Sequence, residues 1–124
     1  MDGGCTDSIP VKAFAKMGYT KDVVVLTRHE GYRKEKEGTG LTKLVYRKYP
    51  EFVKAVYGRP SVYNHTLDEI EKWEEEGSVF VIRPEIPAVS RLEKDEEKLR
   101  EFYQHGYDQM KANFEALQEF LKEE

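Results

Sequence analysis

Two short apolar runs constrain this chain more than any other feature: Val23-Val24-Val25-Leu26 and Val79-Phe80-Val81-Ile82. Neither run alternates with polar residues. Continuous runs of β-branched and aromatic residues read as strands buried on both faces, whereas alternation would mark one wet face. The first strand is expected over Asp22 to Thr27, and Arg83-Pro84 closes the second. The sequence between them reads as helix and loop, so the strands are expected to lie parallel across a crossover. One such unit is not a whole sheet, because parallel sheets are covered on both faces and normally have more strands. The expected fold is α/β: an incomplete parallel sheet of about two strands with several flanking helices and a helical C-terminus. This imbalance leads us to expect either an incomplete chain or one that completes its sheet by association.

The helices are legible from their ends. Asp7 or Ser8 can cap a first helix with Pro10 in its opening turn, and Gly18 stops it after Met17. Arg28 to Gly40 is charged, has no apolar period and reads as a long loop. Leu41 to Tyr57 has helical spacing, but Pro50 interrupts it, which predicts two short helices. Ser61 to Glu76 predicts a longer helix, with Thr66 and Glu69 as a capping box and Gly77 as its stop. Tyr63, Leu67, Ile70 and Trp73 share one face of it. Glu93 to Gln104 predicts a further helix, interrupted at Gly106. Beyond it, Tyr107, Met110, Phe114, Leu117 and Leu121 recur every three or four residues as one apolar stripe, expected to dock on the sheet of a larger parent or on a neighbouring helix.

Charge and cysteine use exclude some functions. The 124 residues carry 20 basic and 24 acidic side chains, a net charge of −4. Nucleic-acid binding, which needs a basic footprint, is therefore not expected. The single cysteine, Cys5, allows no internal disulfide and fits a reducing compartment. His29, His65 and His105 are too scattered to suggest a metal set, and no cofactor is expected. No run approaches the about 20 apolar residues of a membrane span, and no signal peptide is visible, so a cytoplasmic location is expected.

A bare Asp-Gly-Gly usually marks a turn. Here Asp2-Gly3-Gly4 is followed by Asp7-Ser8-Ile9-Pro10 and then by an apolar strand run. In that order the chain resembles the patatin-like phospholipases, bacterial members in particular. Further matching stretches are Val23 to Arg28, Gly31-Tyr32-Arg33-Lys34, Tyr63-Asn64 and Val81-Ile82-Arg83-Pro84. Arg91 to Asp95, with Leu99, Tyr103 and Gly106, resembles the C-terminal extension of that bacterial branch. The resemblance implies the C-terminal portion of a three-layer catalytic domain over residues 1–90, a helical C-terminal extension over 91–124, and a serine–aspartate dyad, with Asp2 as the base and Gly3 and Gly4 shaping its loop. A serine hydroxyl is a weak nucleophile and needs such a base. The implied substrate is a lipid or other acyl ester, met by transient contact with a membrane surface, and no metal is required.

The chain departs from that pattern at the nucleophile. Ser8, Ser61, Ser78 and Ser90 are its serines, and none sits in Gly-x-Ser-x-Gly. The glycine-rich oxyanion loop is missing too, and with it most of the transition-state stabilisation. Cys5 lies three residues from Asp2, but no basic residue adjoins it to make a thiolate. These residues alone are therefore expected to be inactive. The alternative expectation is a non-catalytic binding or self-assembly module, in either case forming a homo-oligomer through uncovered apolar surface.

Overall fold

The structure, a computed structural model, describes residues 3–122. It is mixed α/β, with a two-stranded parallel sheet, four α-helices and a long helix at the C-terminal end. The helices are α1 (Val11–Lys16), α2 (Gly40–Val45), α3 (Pro50–Glu75) and α4 (Glu96–Lys122). The strands are β1 (Asp22–Val25) and β2 (Val79–Ile82). The residues form two compact units, each built from separated segments: residues 1–19 with 33–75, and residues 20–32 with 76–124. No helix among the described residues is long and apolar enough to cross a membrane.

In the first unit α1 ends as its glycine predicts. Gly18 takes φ +96°, its N–H donates to Ala15 O, and Tyr19 N–H donates to Phe14 O. That pair of bonds is the Schellman motif, and the Phe14 and Tyr19 rings add its usual apolar contact at 5.8 Å. The start of α1 differs from expectation. Neither Asp7 nor Ser8 caps it: Pro10 stands at the cap position with no side-chain bond. The Ser8 hydroxyl instead donates backwards to Gly4 O at 2.8 Å.

The larger difference is in α3. Pro50 does separate two helices, since α2 ends at Val45 and Pro50 opens α3. A proline fits a first turn because its missing N–H has no partner there. But α3 then runs unbroken through Pro60 to Glu75 and absorbs both the second short helix and the Ser61–Glu76 helix. Pro60 leaves the Val56 carbonyl without its usual donor, and its ring is buried. Thr66 consequently caps nothing. It is buried in mid-helix, and its hydroxyl donates to Val62 O at 2.9 Å. The expected apolar face holds: Leu67 and Ile70 are buried, and Tyr63 and Trp73 are half-buried. Gly77, at φ +78°, follows the helix end.

In the second unit β1 and β2 pair in the register Asp22↔Val79 to Val25↔Ile82. Leu26 N–H adds one more bond to Ile82 O, at 2.8 Å. Burial on both faces does not hold for β1: Val24 and Leu26 are buried, but Val23 is 41% and Val25 69% exposed. In this register Val23 and Val25 share the face of Phe80 and Ile82. The helix over that face, α4, meets β2 through the Phe80–Phe120 ring contact at 5.6 Å and leaves β1 uncovered.

Helix α4 starts at Glu96 rather than Glu93, because Asp95 caps it. One carboxylate oxygen of Asp95 accepts from Glu97 and Lys98 N–H at 3.0 and 3.4 Å. Glu96 and Glu97 in the first turn and Lys122 in the last complement the helix dipole. Gly106 does not interrupt the helix. One interior glycine costs only about 1 kcal/mol, which a long helix absorbs.

Candidate functional site

Asp2, the base implied by the resemblance, lies outside the described residues. Its flanking loop does not. Residues Gly3–Cys5 form a single 3-10 turn in which Gly3 O accepts from Thr6 and Asp7 N–H at 3.1 and 2.9 Å. A Cβ placed on Gly3 would meet no heavy atom within 4 Å, so space does not demand glycine there. Cys5 is a half-buried free thiol.

A chain of polar contacts ties this turn to α3. Ser8 bonds to Gly4 O and accepts from Arg59 Nε at 3.3 Å. The same guanidinium donates to Glu37 at 3.3 Å, and Glu37 pairs with Lys34 at 2.7 Å. Asn64 of α3 then clamps the Lys34 backbone from both sides. Its Oδ1 accepts from Lys34 N–H at 2.6 Å, and its Nδ2 donates to Lys34 O at 3.0 Å. A side-chain amide presents one donor and one acceptor in the geometry of a peptide, so Asn64 acts as a one-residue strand for this loop. Lys34 and Asn64 both belong to stretches that carry the resemblance. The neighbouring Arg33 reaches Asp68 at 2.7 Å and Glu71 at 3.4 Å on α3. Sequence reasoning missed this network, because its members are separated by up to 51 positions and follow no local period.

The loop also holds the tightest glycine site. Gly38 has φ +89°, and a Cβ there would lie 2.8 Å from Tyr57 Cε2. The Tyr57 hydroxyl donates to Thr39 O at 2.6 Å, and Lys43 Nζ sits 4.9 Å over the same ring. Thr39 opens α2, with its N–H donating to Thr42 Oγ1 at 3.2 Å.

A second candidate was not foreseen from the sequence. At the carboxyl ends of β1 and β2 lies a polar cavity of about 430 Å³. His29 and Glu30 line it after β1, Arg83 to Glu85 after β2, and Gln109 and Asn113 from α4. Ligands of open α/β sheets bind outside the carboxyl ends of the strands, and that rule was the available signal. The polar groups are held by one another. Glu85 N–H donates to His105 Nε2 at 3.0 Å, Gln109 Nε2 donates to Arg83 O, and Asn113 Nδ2 donates to Gln109 O at 2.8 Å. Acceptance at Nε2 requires the neutral ring with its proton on Nδ1. Such a cavity suits a small polar ligand with both donors and acceptors.

These contacts fix the face of α4 that docks. His105, Gln109, Asn113 and Phe120 turn toward β2 and the residues beside it, with Lys21 Nζ donating to Phe120 O at 2.8 Å. Tyr103, Tyr107, Phe114 and Leu121 are all exposed, while Met110 and Leu117 are half-buried at the margin. The apolar stripe is thus displaced by roughly 100° around the helix from the docked face, at 100° per residue. Its polar neighbours, serving the cavity, take the place that the sequence pattern assigns to the stripe. Among the described residues no three His, Cys, Asp or Glu side chains group as a metal-binding set.

The class that fold and site define is a small α/β chain of two units, one with a clamped loop and the other with a polar cavity beside a two-stranded parallel sheet. The chain belongs to the family described as a domain of unknown function, DUF6363, whose model matches residues 49–122. That stretch takes in all of α3, β2 and α4, and leaves out α1, β1, α2 and the Asp-Gly-Gly loop. No curated protein and no solved structure matches the chain.

Proposed function

We propose that these residues are the aspartate-bearing portion of a patatin-like, cytoplasmic lipid acyl hydrolase. Asp2 is the base for a serine nucleophile, which together with the oxyanion donors is supplied by sequence not contained in these 124 residues. The observation that carries the reading is convergence. Gly4, Ser8, Lys34 and Asn64, from the stretches that resemble the family, belong to one hydrogen-bonded system that ties the Gly3–Cys5 turn to α3. A base needs a held neighbourhood to act, and this network braces the residues that follow Asp2 in sequence. The substrate is an acyl ester of a lipid, cleaved through an acyl-enzyme with no metal required.

The test is turnover of a short-chain chromogenic ester. The 124-residue chain is expected to show none. A longer protein that carries these residues after a Gly-x-Ser-x-Gly segment is expected to turn over and to lose about 10⁴-fold on Asp2→Ala, the scale of losing a dyad member. Turnover that survives Asp2→Ala in either protein overturns the reading.

A second reading, a non-catalytic self-assembly module, is favoured by the exposed stripe on α4. Tyr103, Tyr107, Met110, Phe114, Leu117 and Leu121 alternate at spacings of four and three, the repeat by which helices interlock. Mass measurement in solution separates the readings: this one expects a dimer or larger assembly that Phe114→Glu dissolves.

A further inference from the structure

We propose that residues 41–49 form a landing surface for an anionic lipid bilayer. In α2 and the turn after it, Leu41, Leu44, Val45 and Tyr49 are 67, 65, 61 and 65% exposed, and Tyr46 is exposed beside them. Leu41, Leu44 and Val45 lie at i, i+3 and i+4, one helix face. Single exposed apolar residues are ordinary, but five within nine positions make a patch.

The same stretch carries Lys43, Arg47 and Lys48, and no acidic residue occurs from Gly38 to Pro50, in a chain whose net charge is −4. Arg47 and Lys48 have no carboxylate partner among the described residues. Leucine and valine beside tyrosine and long cationic side chains are the composition of an interfacial element. The apolar groups enter the acyl boundary, tyrosine rings sit at headgroup level, and cationic stems reach up to lipid phosphates. The segment is also held in place beforehand. The Tyr46 ring packs on Phe52 at 4.9 Å, Lys43 lies over Tyr57, and Tyr49 N–H closes the turn onto Tyr46 O at 2.8 Å. Little ordering entropy is then lost on contact.

Charge decides between occupants. A two-fold contact between copies would set this patch against itself and bring Arg47 and Lys48 of both copies into one interface. An anionic headgroup layer complements it instead, at a gain of about fivefold in partition per basic residue. The inference rests on the hydrolase reading only for its purpose, to bring a lipid substrate to the loop. Vesicle binding requires no nucleophile, so failure of binding and failure of catalysis are separate results.

The experiment is flotation of the 124-residue chain with phosphatidylcholine vesicles, with and without phosphatidylglycerol. Binding is expected with phosphatidylglycerol and at least about tenfold weaker without it. Leu41→Ser with Leu44→Ser, and separately Arg47→Glu with Lys48→Glu, are each expected to lower binding about tenfold or more while leaving the far-UV circular dichroism unchanged. The charge-matched control Lys98→Glu with Arg100→Glu, on α4, is expected to bind as the parent does. No flotation, or equal loss in the control, overturns the proposal. So does binding indifferent to both patch variants, or a fall in assembly mass caused by the serine pair without vesicles, which would make the patch a contact between copies.

Discussion

Replacing Gly38 by alanine tests the tightest packing in the loop that α3 holds. Two costs are separable. An L-residue at φ +89° loses roughly 1 kcal/mol against glycine. The new methyl would also lie 2.8, 2.9 and 3.0 Å from three carbons of the Tyr57 ring, which is rigid and anchored by its hydroxyl. Moving the ring away breaks its bond to Thr39 O, worth about 1 kcal/mol, and loosens its contact with Lys43, worth about 0.5–1 kcal/mol. Alanine restricts the unfolded chain and returns up to about 1 kcal/mol. The net loss is then about 2 kcal/mol. In urea, with a slope of about 1–3 kcal/mol/M, the midpoint falls by roughly 1 M, followed through circular dichroism and Trp73 fluorescence. The informative measurement is the same substitution in a Tyr57→Ala background, where the ring is gone. There Gly38→Ala is expected to be nearly neutral, since only the backbone and unfolded-state effects remain and oppose each other. Equal losses in both backgrounds would refute the steric argument, and so would the absence of a loss in either.

Three more expectations follow from single contacts. Asn64→Ala removes both partners of the Lys34 peptide, so the Lys34 amide is expected to exchange with deuterium much faster, with a global loss of about 1–3 kcal/mol. Asp95→Ala removes the cap of α4 and is expected to cost about 1 kcal/mol, measured as a lowered thermal midpoint, while Asp95→Asn leaves it nearly unchanged. Thr66→Asn separates a cap from a helix interior: a cap would accept asparagine, whereas the buried mid-helix site is expected to lose more than about 2 kcal/mol in urea unfolding.

The parts of the fold that could be read from sequence are those decided locally. Gly18 and Gly77 take the left-handed conformations that stop helices, and Val79–Ile82 is the strand its composition predicts. α3 crosses the boundary expected between Tyr57 and Ser61, and α4 crosses Gly106, for a shared reason. Pro60 and Gly106 each carry a local penalty against helix, and in a helix of 26 or 27 residues the packing of the rest outweighs it. Ser8 and Thr66 misled because their hydroxyls have several backbone acceptors within reach, and only the tertiary setting selects one. The docked face of α4 was not legible, because polar residues that line a cavity are as inward as apolar ones. Of the candidate site, the Asp-Gly-Gly loop was legible as a motif. The Arg59, Glu37 and Asn64 network behind it was not, since no period in the chain links those positions.

The pairing of β1 with β2 has a consequence for the order of folding. The strands are parallel neighbours, yet about fifty residues, including all of α2 and α3, lie between them, so closing that loop carries a large entropic cost for a few ladder bonds. Strand pairing is therefore expected as a late event, after α3 has condensed and shortened the span the chain must bridge. It also means that the stretch from 49 to 122 contains β2 but not its partner strand, so a truncated chain limited to it would display an unpaired edge, open to any strand that reaches it first.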